Sequence, residues 1–392
     1  MTDIHTPGSK RTLGTDVIII GGGIVGASAA LALRQKGVAV VLLERDFCGS
    51  RSSGINYGGV RRQGRLEAQL PLSQRAHHIW ARLPELIGID GEYVRSGHLK
   101  LGVNERDMAS LENYAQMAAR YELPLEILDQ QSLRRRFPWI SPTALGGSYC
   151  AEDGHANPRL VSPAFAHAAR RRGAQIFDQT PVSSIEHDGQ RFIVECPQLQ
   201  VRAPLLINCA GAWGHRIAEW FDEQVPLQVS CPNMTVTEPL PLFMDASIGI
   251  EGGSIYARQV SRGNCVIGGG QGYTTSDTTA RPGREAILEL MKIASALFPA
   301  LANAHLIRFW SGIEGNIPDR NPVVGPSHTT PGLFHGFGFC GAGFQIGPAV
   351  GEVLAELIDD GHTPTPIDAF AINRFSTASS TLMSTCIVSG DE

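Results

Sequence analysis

A chain of 392 residues, 43% apolar and 18% charged, is long enough for two domains with sizeable cores and has the make-up of a soluble globular enzyme. Its net charge of −5, without a basic tract, argues against a nucleic-acid or membrane-surface partner. The eight cysteines include no C-x-x-C pair, so neither a metal site nor a disulfide framework is expected, and reduced thiols in a cytoplasm are the simplest account.

The first thirteen residues are polar and lack the apolar core of a secretion signal. No apolar run approaches the roughly 18 residues needed to span a bilayer. Residues 16–46, DVIIIGGGIVGASAALALRQKGVAVVLLERD, then organise the chain. The β-branched run Val17–Ile20 predicts a buried strand, Ile24–Arg34 a helix stopped by a left-handed cap at Gly37, and Val38–Leu43 a second strand ending on Glu44. Between the first strand and the helix lies G-x-G-x-x-G at Gly21, Gly23 and Gly26.

Gly21 allows the tight turn, Gly23 lets the backbone approach a pyrophosphate, and Gly26 lets helix and strand pack closely. The helix N-terminus offers unpaired N–H groups to phosphates, and Glu44 would accept the ribose hydroxyls. The unit therefore predicts a dinucleotide site without deciding between FAD and NAD.

Residues 47–65, rich in glycine, serine and arginine, read as a loop whose backbone comes close to a ligand. Helical patterning returns over 66–83, strand alternation over 93–103, and helices over 105–121 and 129–137. A helix over 158–172, a hairpin around Asp188-Gly189 and a buried strand running into a small-residue turn over 205–213 follow. Residues 225–310 are mostly strands interrupted by a helix over 283–298, and 332–358 repeat strand, glycine-rich turn and helix. In that last turn Gly336, Gly338, Gly341 and Gly343 leave room for a flat ring, and a helix starting near Gly347 would point its N-terminus at it.

Four stretches carry a family resemblance: the opening βαβ unit, LLINCAGAWG, WSGIEGNIPDRNPVVG at 310–325 and GFGFCGAGFQIGPAVGEVLAELI at 336–358. With these, the chain resembles the D-amino-acid oxidase, sarcosine oxidase and glycine oxidase family of FAD-dependent amine oxidoreductases over nearly its whole length. The resemblance implies an α/β fold. A Rossmann-like FAD-binding domain from 14–92, 140–222 and 323–375 would be joined to a strand-rich α+β substrate domain from 93–139 and 223–322, with 1–13 and 376–392 as peripheral tails. It decides for FAD over NAD.

Cofactor contacts implied this way are Gly21, Gly23, Ile24, Val25, Gly26, Glu44, Arg45, Ser52, Ser53, Gly59, Val60, Arg61, Val182, Ala210, Gly211, Trp213 and Gly312, and then Gly341, Ala342, Gly343, Phe344 and Gln345. The covalently linked cysteine of the sarcosine oxidases falls on Gly312 or its neighbours, so FAD should be non-covalent. The oxygen-activating lysine of the monomeric enzymes falls on Val266, which leaves the acceptor open between oxygen and another partner.

The implied reaction is oxidation of a C–N bond of a secondary or N-substituted amino acid. Hydride would pass to flavin, and the imine would hydrolyse to an amine and a carbonyl product. Candidate substrate residues are Arg61 and Arg65, with Arg62 beside them, for a carboxylate, then Tyr256, Glu314 and Gln345. The last two replace cations of relatives, which speaks against sarcosine or a simple D-amino acid. His98, His155, Asp153 and Trp310 read as core or capping residues, and Arg258 as a reserve cation. The alternatives are a D-amino-acid or opine-type dehydrogenase, as one subunit of a complex, and a flavin-binding or electron-relay subunit without catalysis.

Overall fold

The computed structural model describes residues 10–376, so residues 1–9 and 377–392 of the tails expected at 1–13 and 376–392 lie outside the described residues. Arg11–Gly14, whose first three residues were expected to end the peripheral N-terminal tail, pairs in parallel with Leu199–Ala203 in a four-stranded sheet completed by the predicted hairpin, Ser184–His187 and Phe192–Glu195.

The nucleotide-type sheet has six strands in the order Val323–Pro326, Leu333–Phe337, Leu205–Asn208, Val17–Ile20, Val40–Leu43 and Gln175–Phe177. All neighbours run parallel except Val323–Pro326, which is antiparallel to Leu333–Phe337. A parallel sheet covered on both faces demands apolar strands, and Val17, Ile18 and Ile19 are wholly buried. The helix Ile24–Gln35 follows, and Gly37, at φ +86°, closes the turn after it.

Close helix contact sets the geometry beneath the site. A Cβ on Gly351 would lie 2.6 Å from the Ala29 nitrogen, and one on Gly347 would lie 2.8 Å from Ile24 Cγ2. The helix Gly343–Asp359 can therefore cross Ile24–Gln35 backbone to backbone, which brings the two N-termini to one edge of the sheet. It begins at Gly343, before the expected Gly347, because the chain turns at Gly341, φ +82°, and enters the helix at once.

The second layer is an eight-stranded sheet ordered Leu306–Ser311, Pro232–Pro239, Asn264–Gln271, Tyr256–Gln259, Ser247–Ile250, His98–Gly102, Gly146–Cys150 and Glu126–Asp129. Gly146–Cys150 lies inside this sheet, although the sequence division put 140–222 with the nucleotide segments. Leu99, Leu101, Ile248, Ala257 and Ile267 form its core with Phe298 from the end of the helix Arg284–Leu297.

Candidate active site

The C-terminal ends of the parallel strands, both helix N-termini and the concave side of the eight-stranded sheet enclose one cavity of about 910 Å³. This is near the top of the range of about 300–1,000 Å³ usual for small-molecule sites. Its position at the carboxyl edge of an α/β sheet is where ligands of such folds bind.

At the nucleotide end, Gly21 at φ +104° passes so close to the next strand that a Cβ would lie 2.3 Å from the Cys209 carbonyl oxygen. Gly26 is packed against the Gly21 carbonyl and does not line the cavity, so its service is close packing. Ile24 donates its N–H to Ser53 Oγ at 2.9 Å, while Val25 and Gly26 head the helix without intrahelical acceptors.

Glu44 is buried, and burial pushes its carboxyl pKa up. The Asp46 and Gly22 N–H groups counter this at 2.8 and 2.7 Å. Each carboxylate oxygen keeps acceptor capacity toward the cavity. The Arg45 guanidinium stands over the Trp213 ring, Cζ 3.8 Å from the centroid, and its Nη2 is buried with no partner in the protein. A guanidinium with one buried nitrogen left unpartnered, a half-satisfied carboxylate and a glycine turn open to a backbone approach together fit an anionic adenine dinucleotide such as FAD.

Around the rest of the cavity, Ser52, Ser53, Gly59, Val182, Ala210, Gly211, Gly341, Gly343 and Phe344 all reach the wall. Val60, Gly312, Ala342 and Gln345 do not. Val60 and Ala342 belong to the core beneath, and Gly312 abuts Ile55, where a Cβ would meet Cδ1 at 2.3 Å. Gln345 is a correction in both of its expected roles. Its Oε1 accepts Ser73 Oγ–H at 2.8 Å and its Nε2 donates to the Ser73 carbonyl at 3.0 Å, so a buried polar side chain is satisfied inside the protein.

Opposite the glycine turns, Arg61 and Arg65 both enter the cavity, and burial lowers the pKa of each. Arg65 is pushed down to about 9, with the Arg61 charge adding to the burial, and its buried Nε has no partner. Glu314 is the carboxylate that faces Arg65. Burial raises its pKa, while the Gly341 N–H and Arg65 favour its charge. Tyr256 meets Tyr57 edge-on at 4.9 Å and supplies an apolar wall.

Arg62 turns the other way. Its guanidinium donates to Glu152 at 2.7 Å and Gln74 at 2.8 Å, while the Asp153 carboxylate accepts the Arg62 and Gln63 N–H groups at 2.9 and 3.0 Å. Asp153, expected as a helix cap, thus fixes the arginine loop. Asn157 takes the capping role by accepting the Arg159 N–H. Arg258 is buried under the Tyr57 carbonyl, and Trp310 donates to the Ile55 carbonyl, both outside the cavity wall.

His98, Lys100, Glu251 and Arg320 are wall residues that the sequence reading passed over or left in the core. For two of them a signal existed. In HLKLG, Leu99 and Leu101 are buried, so alternation turns His98 and Lys100 to the opposite face, toward the cavity. Val266 lies in mid-strand between Arg258 and Val236 and lines nothing, whereas Lys100 stands in the cavity paired to Glu251. Among the described residues no group of His, Cys, Asp and Glu is arranged to hold a metal, and no helix is long and apolar enough to cross a membrane.

The model of a family described as FAD dependent oxidoreductase matches residues 16–357. An opine oxidase subunit of Rhizobium meliloti is 26% identical over 372 residues, covering 92% of this chain and 97% of that protein. Glycine oxidase of Bacillus subtilis (strain 168) is 24% identical over 371 residues, with 92% and 97% covered. Among solved structures, L-proline dehydrogenase from P. horikoshii matches with a TM-score of 0.87 at 26% identity, covering 94% of this chain and 99% of that one.

Proposed function

The chain belongs to the FAD dependent oxidoreductase family, whose model spans residues 16–357, and from that premise we propose that it oxidises the C–N bond of a secondary or N-substituted amino acid held by its carboxylate. It is an FAD-dependent oxidoreductase of the amino-acid and amine-oxidising kind. Bound FAD supplies a two-electron acceptor for the hydride on the carbon next to nitrogen.

The observation that carries the reading is the Arg61 and Arg65 pair in one cavity, with Glu314 on the wall facing Arg65. Asp153 is already taken up by Arg62 and by the Arg62 and Gln63 N–H groups, and the buried Nε of Arg65 has no partner, so a substrate carboxylate would complete the set through charge-assisted bonds. Arg61 Nη1 already donates to the Gln63 carbonyl, which fixes the direction of its remaining N–H groups. Tyr256, Tyr57 and Phe344 would keep water from the reacting carbon, and Glu314 would set the register of the anion grip by pairing with Arg65.

A second reading, that the chain is one part of an opine-type oxidase, is supported by the similarity to the opine oxidase subunit and to the sarcosine oxidase beta chain of Rhizobium meliloti (strain 1021). The edge strand Leu306–Ser311 agrees with it by leaving Ile307 and Phe309 exposed on one side. One experiment separates the readings. The purified chain alone is mixed without air with glycine, sarcosine, L-proline and N-(carboxyalkyl) amino acids. Bleaching by L-proline, sarcosine or a dicarboxylic amine supports the first, bleaching by the dicarboxylic amines alone narrows its substrate to the opine type of the second, and no bleaching by any of them overturns catalysis by the isolated chain.

A further inference from the structure

His98 is buried and stands on the cavity side of the strand His98–Gly102. Its protonation is readable from its neighbours. Gln63 Nε2 donates to the Ser148 carbonyl at 2.9 Å, and a carbonyl only accepts, so the Gln63 amide can have one orientation. Its Oε1 then faces His98 Nδ1 at 2.9 Å, and Nδ1 must carry the hydrogen. Nε2 is left as a bare lone pair. It makes no hydrogen bond among the described residues, and it lies on the cavity side, 3.4 Å from where a Cβ of Gly249 would stand.

The surroundings keep the ring neutral. Burial lowers its pKa well below the ordinary value, and Arg61, Lys100 and Arg65 all add to the effect. An imidazole that stays neutral among cations is a permanent acceptor at Nε2. The residue that pins it also connects it to the anion grip, since the Gln63 backbone carbonyl accepts from Arg61 Nη1 while its side chain accepts from His98. The carboxylate grip and the free acceptor therefore sit on two sides of one residue. In an α-amino acid, carboxylate and nitrogen are likewise separated by a single carbon.

We propose that His98 Nε2 accepts the amine N–H of the substrate, making His98 a specificity-determining residue that admits primary and secondary amines and rejects tertiary amines and oxygen isosteres. The inference rests on the carboxylate-held amine proposed above. Once the ligand is seated, a donor in this position is matched, whereas an oxygen there places two lone pairs against each other.

The test uses the FAD-loaded protein and two planar acids of nearly equal shape. Pyrrole-2-carboxylate offers an N–H beside its carboxylate, and furan-2-carboxylate offers an oxygen. Binding is read from the shift of the flavin absorbance. Wild-type protein should bind the pyrrole acid about tenfold more tightly. His98→Leu should bring the ratio close to one. Gln63→Leu removes the acceptor that fixes the Nδ1 proton, so the other tautomer becomes available and the ratio should fall by better affinity for the furan acid; this arm decides the matter if His98→Leu does not hold FAD. Equal affinities in the wild type, or a preference that survives in the variants, would overturn the assignment of His98. If neither acid shifts the wild-type spectrum, the carboxylate site itself is wrong and the proposal falls with it.

Discussion

The Glu44 carboxylate accepts the N–H of Gly22 at 2.7 Å, joining the end of one strand to the glycine turn that follows its neighbour. The same carboxylate is the expected acceptor for the ribose, so one side chain holds the turn and reads the cofactor. Glu44→Ala should therefore weaken FAD by about 1.5–3 kcal/mol, roughly 10- to 150-fold. Glu44→Gln, which keeps an oxygen acceptor, should lose less. Flavin release on dilution measures both, and unchanged retention in the alanine variant would leave Glu44 with the turn alone.

Non-covalent FAD is expected because Gly312 and its neighbours carry no thiol, and Gly312 abuts Ile55 away from the cavity wall. Acid precipitation should leave the yellow colour in the supernatant. Colour in the pellet would point instead to Cys340, which does line the cavity.

The three loop arginines should separate by phenotype. Arg61→Ala and Arg65→Ala should each raise the apparent Kd for the reducing substrate about 10- to 100-fold while leaving folding largely intact. Arg62→Ala removes the buried guanidinium beside Glu152 and Asp153 but leaves Asp153 its two backbone N–H donors, and should cost about 1–3 kcal/mol of stability instead. Anaerobic reduction titrations and thermal unfolding on the same three proteins check this, and wild-type affinity in both cavity variants would refute the anion grip.

Acid stability should depend on Glu223. Burial alone would raise its pKa, but the His335 side chain at 2.8 Å and the His328 N–H at 2.6 Å favour the charge and bring the net shift below the ordinary value. A carboxyl with a depressed folded pKa contributes stability above its unfolded value, about 4.3, and loses it as the pH falls through the folded one. The unfolding temperature should therefore drop on acidification below about pH 4.5. In Glu223→Gln it should be lower at neutral pH and flatter through that window, and parallel profiles for the two proteins would refute the assignment.

Reoxidation should depend on Lys100. The family resemblance put Val266 at the position of the oxygen-activating lysine and so left the electron acceptor open, but the cavity carries the Lys100 cation from a different strand. Replacing it by methionine should slow reoxidation in aerated buffer by about tenfold or more, since a nearby cation stabilises developing negative charge. Val266→Lys should change little. The reverse result in stopped-flow traces would restore the sequence-based position.

Local pattern made the nucleotide half of the site readable. Val17–Ile20, the three glycines and Glu44 fall within one βαβ unit, and each has a short-range reason for its identity. The Ser73 partner of Gln345 was hidden, because the contact joins two helices far apart in the chain. Arg62 beside Arg61 was equally ambiguous, since adjacent side chains diverge and only the distant Glu152 and Asp153 decide which one turns inward. Lys100 and His98 were within reach of the alternation rule, but polar residues in a predicted strand do not announce whether the face they share meets solvent or a cavity.

The close crossing at Gly351 and Gly347 couples the two ends of the chain. One cavity wall is made by residues near the N-terminus and another by residues beyond 335, so a ligand lying between them acts as a clasp across nearly the whole polypeptide. Binding to the native state alone adds RT ln(1 + [L]/Kd) to stability, about 2.7 kcal/mol at a hundredfold excess over Kd. The melting temperature should then rise with free FAD, and Gly351→Val, about two helical turns beyond the cavity-lining Gly343, should erode that rise by prising the clasp open.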